Sequence, residues 1–297
     1  MNSSFNPAAE FLSEAPPQKF PWWNVGLFMG TCFSTLLMGA FMMADFNKLD
    51  VEVATIRFWL AGLPFSIAIM SILFAHEMGH YLACRYYRID ASLPYFIPFP
   101  SLVGTMGAFI RIRSPFPDRG SLLEVGIAGP IAGFVVAVAA LVFSIGQSRF
   151  VDPETLKGGI FLGEPLIFKA GQYLMGMTPP SGMDTYMHPI CFAAWFGFLA
   201  TALNLLPAAQ LDGGHVIYAL FGPYHKWISQ AVVAILVPLA IFYWYGWWLW
   251  IVLLLVIKLR HPSTLDDSLP LRRRHIVLGW IGLAMLILCF TPAPIIL

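Results

Sequence analysis

The sequence predicts an all-α polytopic membrane protein of six to seven transmembrane helices, with a short re-entrant β-like segment near residues 91–113. Three observations carry that expectation. Apolar residues make up 58% of the 297-residue chain and charged residues only 11%, against about 25% charged in soluble domains. Six apolar stretches approach or exceed the about 20 residues that a spanning helix needs. They are 22–44, 64–87, 121–146, 189–207, 227–258 and 275–292. Finally, arginine and lysine concentrate in 81–120 and 258–275, the bias that marks cytoplasmic loops. A net charge of +1 argues against a nucleic-acid partner, which requires a concentrated basic field.

Residues 1–21 are polar and proline-bearing, with Lys19 just ahead of the first apolar run, and read as a cytoplasmic N-terminal tail. The run 22–44 is too long for a signal-peptide core and lacks a small-residue cleavage site, so it reads as the first span. No arginine- and serine-rich transit bias is visible, which favours a bacterial cytoplasmic membrane over an organelle. Residues 22–297 then form one transmembrane domain, without internal repeat or inserted soluble domain.

The second span, 64–87, opens at Pro64, a favoured residue of a first helical turn. Residues 91–113 are apolar but broken by Pro94, Pro98, Pro100, Gly104 and Gly107. They read as short strands or a re-entrant loop, tolerated at membrane depth where it packs on protein or faces a cavity. The third span is 121–146, and the Gly/Pro-rich stretch 148–188 reads as a long external loop leading into the fourth, 189–207.

The stretch 227–258 would run about 48 Å as one helix, beyond a hydrocarbon core of about 30 Å. It holds Pro238 and the aromatic cluster Tyr243, Trp244, Tyr245, Trp247 and Trp248, a residue type that collects at membrane interfaces. One basic loop carries Arg85, Arg88, Arg111, Arg113 and Arg119; the other carries Lys258, Arg260, Arg272, Arg273 and Arg274. Both lie on one side only if 227–258 is a hairpin of 227–243 and 246–258. Seven spans with the N-terminus inside is therefore the favoured topology, and one kinked helix gives six. The last span is 275–292. The four cysteines, Cys32, Cys84, Cys191 and Cys289, form no CxxC pair and read as buried apolar residues.

His76-Glu77-Met78-Gly79-His80 is an HExxH motif inside the second span. Residues four apart share a helix face, so both imidazoles can reach one ion. Zinc suits them, because it takes nitrogen and oxygen ligands in a tetrahedral shell with one position open. Ionisable residues within a span are costly and usually functional. Two histidines leave such an ion needing another protein ligand. The other polar cluster beside a span is Asn204-Leu-Leu-Pro207-Ala-Ala-Gln210-Leu-Asp212-Gly-Gly-His215. Asp212 can supply a carboxylate oxygen, and Pro207 with Gly213 and Gly214 lets the backbone leave helical geometry to aim it. His215 is the rival ligand, or else an interfacial histidine opening a short helix. His188 reads as the start of the fourth span, His225 and His261 as interfacial loop residues, and Asp266-Asp267 as a solvated turn. Gly126, Gly129 and Gly133 permit close helix contact or a gated polar path for water from the cytoplasm.

An HExxH in a span, followed downstream by Asn-x-x-Pro-x-x-x-x-Asp-Gly, resembles the site-2 protease family of intramembrane zinc metalloproteases, over about residues 64 to 292. Gly104-Thr-Met-Gly107-Ala108 and Ala128-Gly129-Pro130 are also similar to that family, and the wording around Asp212 is similar to its compact branch without a PDZ insert. The resemblance implies one zinc per chain held by His76, His80 and Asp212, with Glu77 as catalytic acid/base and Asn204 as a polar group at the reacting carbonyl. It implies that residues 100–112 offer a strand edge to an unwinding substrate. The reaction implied is hydrolysis of a peptide bond in or near the transmembrane helix of a membrane-protein substrate. The alternative from another class is a membrane metal-ion transporter using the same His/Glu/Asp cluster; matched halves with broken helices, the usual mark of transporters, are not apparent.

Overall fold

The computed structural model describes residues 21–48, 53, 55–156, 161–257, 259 and 261–296. All but the last residue of the expected N-terminal tail, and Lys258 and Arg260 of the second basic loop, lie outside the described residues. Most of the described chain is helical, and the helices are α1 (Trp22–Asn47), α2 (Ile56–Tyr86), α3 (Arg119–Ser144), α4 (Leu166–Leu174), α5 (Pro189–Asn204), α6 (Asp212–Phe221), α7 (His225–Phe242), α8 (Gly246–Ile257) and α9 (Arg273–Cys289). Helix α2 lies between α1 and α3, α5 packs on α2 and α3, and α6 and α9 pack on α3.

By length and composition, four helical stretches can cross a membrane: Trp22–Asn47, Ile56–Tyr86, Arg119–Gln147 and Asp212–Phe242. The last joins α6 to α7 through a single 3-10 turn, Gly222–Tyr224. Pro189–Asn204 and Gly246–Ile257 are shorter apolar helices.

The second helix starts at Ile56, eight residues before the position expected from Pro64. The side chain of Thr55 caps it by accepting from the Phe58 amide. Pro64 therefore sits inside the helix, where it removes one backbone hydrogen bond. Contact with α1 supports this stretch. A Cβ on Gly62 would lie 2.7 Å from Ala40 N, and one on Gly39 would lie 2.6 Å from Gly62 O, so the two backbones touch. Beside them Thr35 and Ser66 share a buried hydroxyl hydrogen bond of 2.8 Å. Gly62→Val is expected to wedge this crossing open and lower stability by about 1–3 kcal/mol, the usual cost of overpacking. Thermal unfolding in detergent checks it, with Gly26→Ala as control, because a Cβ at Gly26 would have nothing within 4 Å.

The β-like segment is an antiparallel hairpin of β1 (Tyr95–Pro98) and β2 (Thr105–Phe109), with Phe96 opposite Ala108. Main-chain bonds from Ser92 to Arg111 and from Arg113 to Asp90 lengthen its stem. Its turn depends on Gly104, which has φ +77 and lies so close to Ser34 that a Cβ would come within 2.5 Å of the Ser34 carbonyl. The Asn24 amide donates to the Leu93 and Pro94 carbonyls at 2.9 and 3.0 Å, and Ser34 Oγ donates to Gly104 O at 2.5 Å. Those anchors are ten positions apart on the helix, so the hairpin lies along α1 for about 15 Å.

Residues 148–188 are more than a loop. They hold β3 (Arg149–Val151), β4 (Phe161–Leu162), α4 and β5 (Asp184–Tyr186), with β3 paired to β5 and β4 paired to β6 (Ile295–Ile296). Phe168 of α4 is buried in the cluster formed by Leu141, Ile145 and Trp195, and Arg149 stacks over Phe46 at 4.4 Å. The composition suggested a loop because each strand is only two or three residues long. The stretch 227–258 is divided at Tyr243–Tyr245 into α7 and α8, which pack together. Helix α8 is about 18 Å long.

Candidate metal centre

Helix α2 carries His76, Glu77 and His80 into the bundle, all three buried. The facing surface of α3 has no side chains to obstruct them. A Cβ on Gly129 would overlap the His80 ring, and one on Gly133 would press on His76 Cβ at 3.1 Å. Of the two readings of these glycines, the space they leave is filled by imidazole. His80 Nδ1 donates to the Val125 carbonyl at 2.7 Å, because a carbonyl can only accept. That bond fixes the tautomer and leaves His80 Nε2 with its lone pair directed into the centre.

The third contributor comes from the end of α5 and the start of α6. After Asn204 the chain folds back through Pro207 and Ala209, which has φ +53. That left-handed residue is held from α7: Ser229 Oγ accepts from its amide at 3.2 Å, and His225 Nε2 donates to its carbonyl at 3.0 Å. The loop then lies against the first turn of α6. A Cβ on Gly213 would sit 2.6 Å from Leu206 O, and one on Gly214 2.7 Å from Ala208 O, so only glycine permits this approach. Asp212 is thereby turned toward α2.

His76 Nε2 and His80 Nε2 are 3.2 Å apart, and each is 3.3 Å from Asp212 Oδ2. Ligand atoms at about 2.0–2.1 Å from a tetrahedral zinc ion are about 3.3–3.4 Å from one another. Lone pairs of a carboxylate and of an Nδ1-protonated imidazole repel unless a cation lies between them, so the donor set fits zinc. Among the described residues, His76, His80 and Asp212 form the group that could hold a metal ion. Asn204 Nδ2 lies 3.3 Å from His76 Nε2. Glu77 is outside the donor triangle, and the Ile110 backbone amide just beyond β2 faces its carboxylate.

The structure therefore brings together His76, His80, Asp212, Asn204 and the neighbouring Glu77, whereas His215 turns away: its Nδ1 is bonded to His261 Nε2 at 2.6 Å. His225 and His261, expected at the interface, are buried, and burial pushes His261 below its ordinary pKa, so it is neutral at neutral pH. Asp267 is exposed, as expected of a solvated turn, and it also accepts from Tyr218 at 2.8 Å. A second grouping also had no sequence signal. Glu124, next to Val125, accepts from Tyr87, Arg274 (2.8 Å) and His275 (3.0 Å), joining the ends of α2, α3 and α9.

The profile of peptidase family M50 matches residues 64–244. Probable zinc metalloprotease EGY1, chloroplastic, of Arabidopsis thaliana is 32% identical over 168 residues, covering 54% of this chain and 30% of that protein. EGY1 of Oryza sativa subsp. japonica is 28% identical over 219 residues, covering 66% and 37%. Probable zinc metalloprotease EGY2, chloroplastic, of Arabidopsis thaliana is 28% identical over 240 residues, covering 78% and 42%. The chain thus spans less than half the length of these relatives. No solved structure matches.

Proposed function

Because the chain belongs to peptidase family M50, the site-2 protease family of zinc metalloproteases, we propose that it hydrolyses a peptide bond in or near the transmembrane helix of a membrane-protein substrate. The observation that carries this reading is the convergence of three lone-pair donors at 3.2–3.3 Å inside a helix bundle, beside a buried glutamate outside that group.

His76, His80 and Asp212 are the proposed zinc ligands. Bound there, the ion supplies Lewis-acid chemistry, lowering the pKa of water toward about 7 and polarising a carbonyl. Glu77 takes the proton of the attacking water and delivers it to the leaving amide nitrogen. Asn204 turns its amide N–H toward the oxygen on which charge develops, a contribution of about 3–4 kcal/mol for such a donor. The Ile110 amide faces the Glu77 carboxylate. A helical substrate hides its carbonyls in hydrogen bonds and has to unwind before it can be cut. Strand β2, which among the described residues pairs only with β1, ends beside Ile110, whose amide faces Glu77, and it offers its outer edge to the freed backbone by strand addition.

The proposed topology is a cytoplasmic tail, 1–21, and one transmembrane protease domain, 22–297, with seven spans. The break at Tyr243–Tyr245 supports counting α7 and α8 separately, with local bilayer thinning meeting the shorter arm. The basic loops support a cytoplasmic N-terminus with both loops on the same side, and a bacterial cell membrane remains the proposed location; the relatives named above are chloroplastic.

Metal removal tests the function. Protein reconstituted in vesicles with a reporter transmembrane peptide is expected to lose cleavage on treatment with a zinc chelator and to recover it when about one equivalent of zinc per chain returns. Undiminished cleavage by metal-free protein would overturn the reading.

A further inference from the structure

Asp212 is the first residue of α6, a ten-residue helix whose N-cap, Leu211, makes no side-chain cap bond. The aim of its carboxylate therefore depends on how α6 is held from outside. One side is fixed by the close approach of Gly213 and Gly214 to the preceding loop. The other is met by the connection between α8 and α9.

Residues 261–268 of that connection cross α6 as a strap. His261 Nε2 lies 2.6 Å from His215 Nδ1, and Asp267 Oδ2 accepts from Tyr218 OH at 2.8 Å. The Leu265 and Asp266 amides donate to the Phe116 and Pro117 carbonyls at 2.9 and 3.0 Å. His215 and Tyr218 are three residues apart and share a helix face, so the strap grips one side of α6 over a full turn. The rings interlock: Tyr218 stacks on His261 at 4.5 Å, and His225 meets His261 edge-on at 5.6 Å. The charged and titratable neighbours of this cluster are Asp212, His80 and His225 around His215, and Arg119 facing Asp267.

The direction of the central bond follows from its ends. His261 Nδ1 lies 2.5 Å from the Pro262 carbonyl, which only accepts, so Nδ1 carries the proton. Nε2 of the neutral ring is then an acceptor, and His215 donates to it through Nδ1–H. His215 is thus committed to the strap and unavailable as a ligand at that nitrogen.

We infer that His215, Tyr218, His261 and Asp267 are positioning residues: the 261–268 strap holds α6 in the orientation that keeps Asp212 on the imidazole pair, and so sets how tightly the metal is kept. This rests on the reading of Asp212 as the third ligand. It makes a connecting loop, distant in sequence from the HExxH motif, a determinant of metal affinity.

The test is the rate at which zinc passes from the full-length, zinc-loaded protein in detergent to a chromogenic chelator. His261→Leu keeps bulk but removes the acceptor, and is expected to weaken zinc retention about 10–100-fold, the range for lost outer partners of metal ligands. His261→Gln places a carbonyl oxygen near the position of Nε2 and should restore retention close to that of the parent. Tyr218→Phe, which removes only the hydroxyl that reaches Asp267, should shift retention in the same direction as His261→Leu, and it decides the matter if His261→Leu does not fold. Zinc release at the parent rate from His261→Leu or Tyr218→Phe, with or without a lower thermal midpoint, would show a merely structural role and overturn the inference, as would equal loss in His261→Leu and His261→Gln. Asp212→Ala separates the two levels. If it retains zinc like the parent, the ligand reading itself is wrong; if it loses zinc while the strap variants do not, only the positioning inference fails.

Discussion

Glu77→Gln is expected to reduce peptide cleavage about 10²–10⁴-fold, the contribution of a positioned general acid/base, while zinc content stays at one per chain. The two side chains match in size, and a Gln carbonyl can still accept from the Ile110 amide that faces this position. The three donor atoms of the metal group belong to other residues, so the charge removed is not one that holds the ion. What disappears is the carboxylate able to take and return a proton. Metal analysis alongside cleavage of a reporter helix checks both halves, and a fully active Glu77→Gln protein would refute the assigned role. A metal carrier built on the same cluster would also keep its zinc, but cleavage by the parent would then be absent from the outset.

The second large effect is expected at Asp212. Asp212→Ala removes the one anionic donor and leaves two neutral imidazoles facing each other at 3.2 Å. Zinc affinity should fall by more than the about 10–100-fold that loss of an outer partner causes, and cleavage should fall with it at limiting zinc. His215→Ala is the informative comparison, because His215 was the alternative ligand. It is expected to retain the ion better than Asp212→Ala. The reverse order, measured by competition with a chelator of known affinity, would transfer the ligand role to His215.

How far the sequence foretells this molecule varies with the range of the interaction. The spacing of His76 and His80 is meaningful at once, since an i,i+4 pair shares a face on any helix. Asp212 follows from chemistry, as a further donor that two imidazoles require. Apolar length locates α1, α3 and α5 within a few residues. The start of α2 departs from the Pro64 expectation, because a proline's preference for a first turn yields to the cap that Thr55 supplies. The Val125 carbonyl that orients His80 is invisible, since every residue has one. The contact of His261 with His215 spans 46 residues, and a lone histidine has no periodicity to announce its partner. The small sheets of 148–188 escaped for the same reason, β4 finding its mate at Ile295–Ile296.

The separation of Asn204 from His76 by 128 residues has a consequence for biosynthesis. A nascent chain that has released only its first helices from the ribosome carries both imidazoles but not yet the downstream segment that completes the centre. At about 5–20 residues per second, some 6–25 seconds pass before that segment is made. Throughout the interval the growing polypeptide holds two of the three grouped donors and lacks the third. The metal group is therefore completed late, as a by-product of chain order.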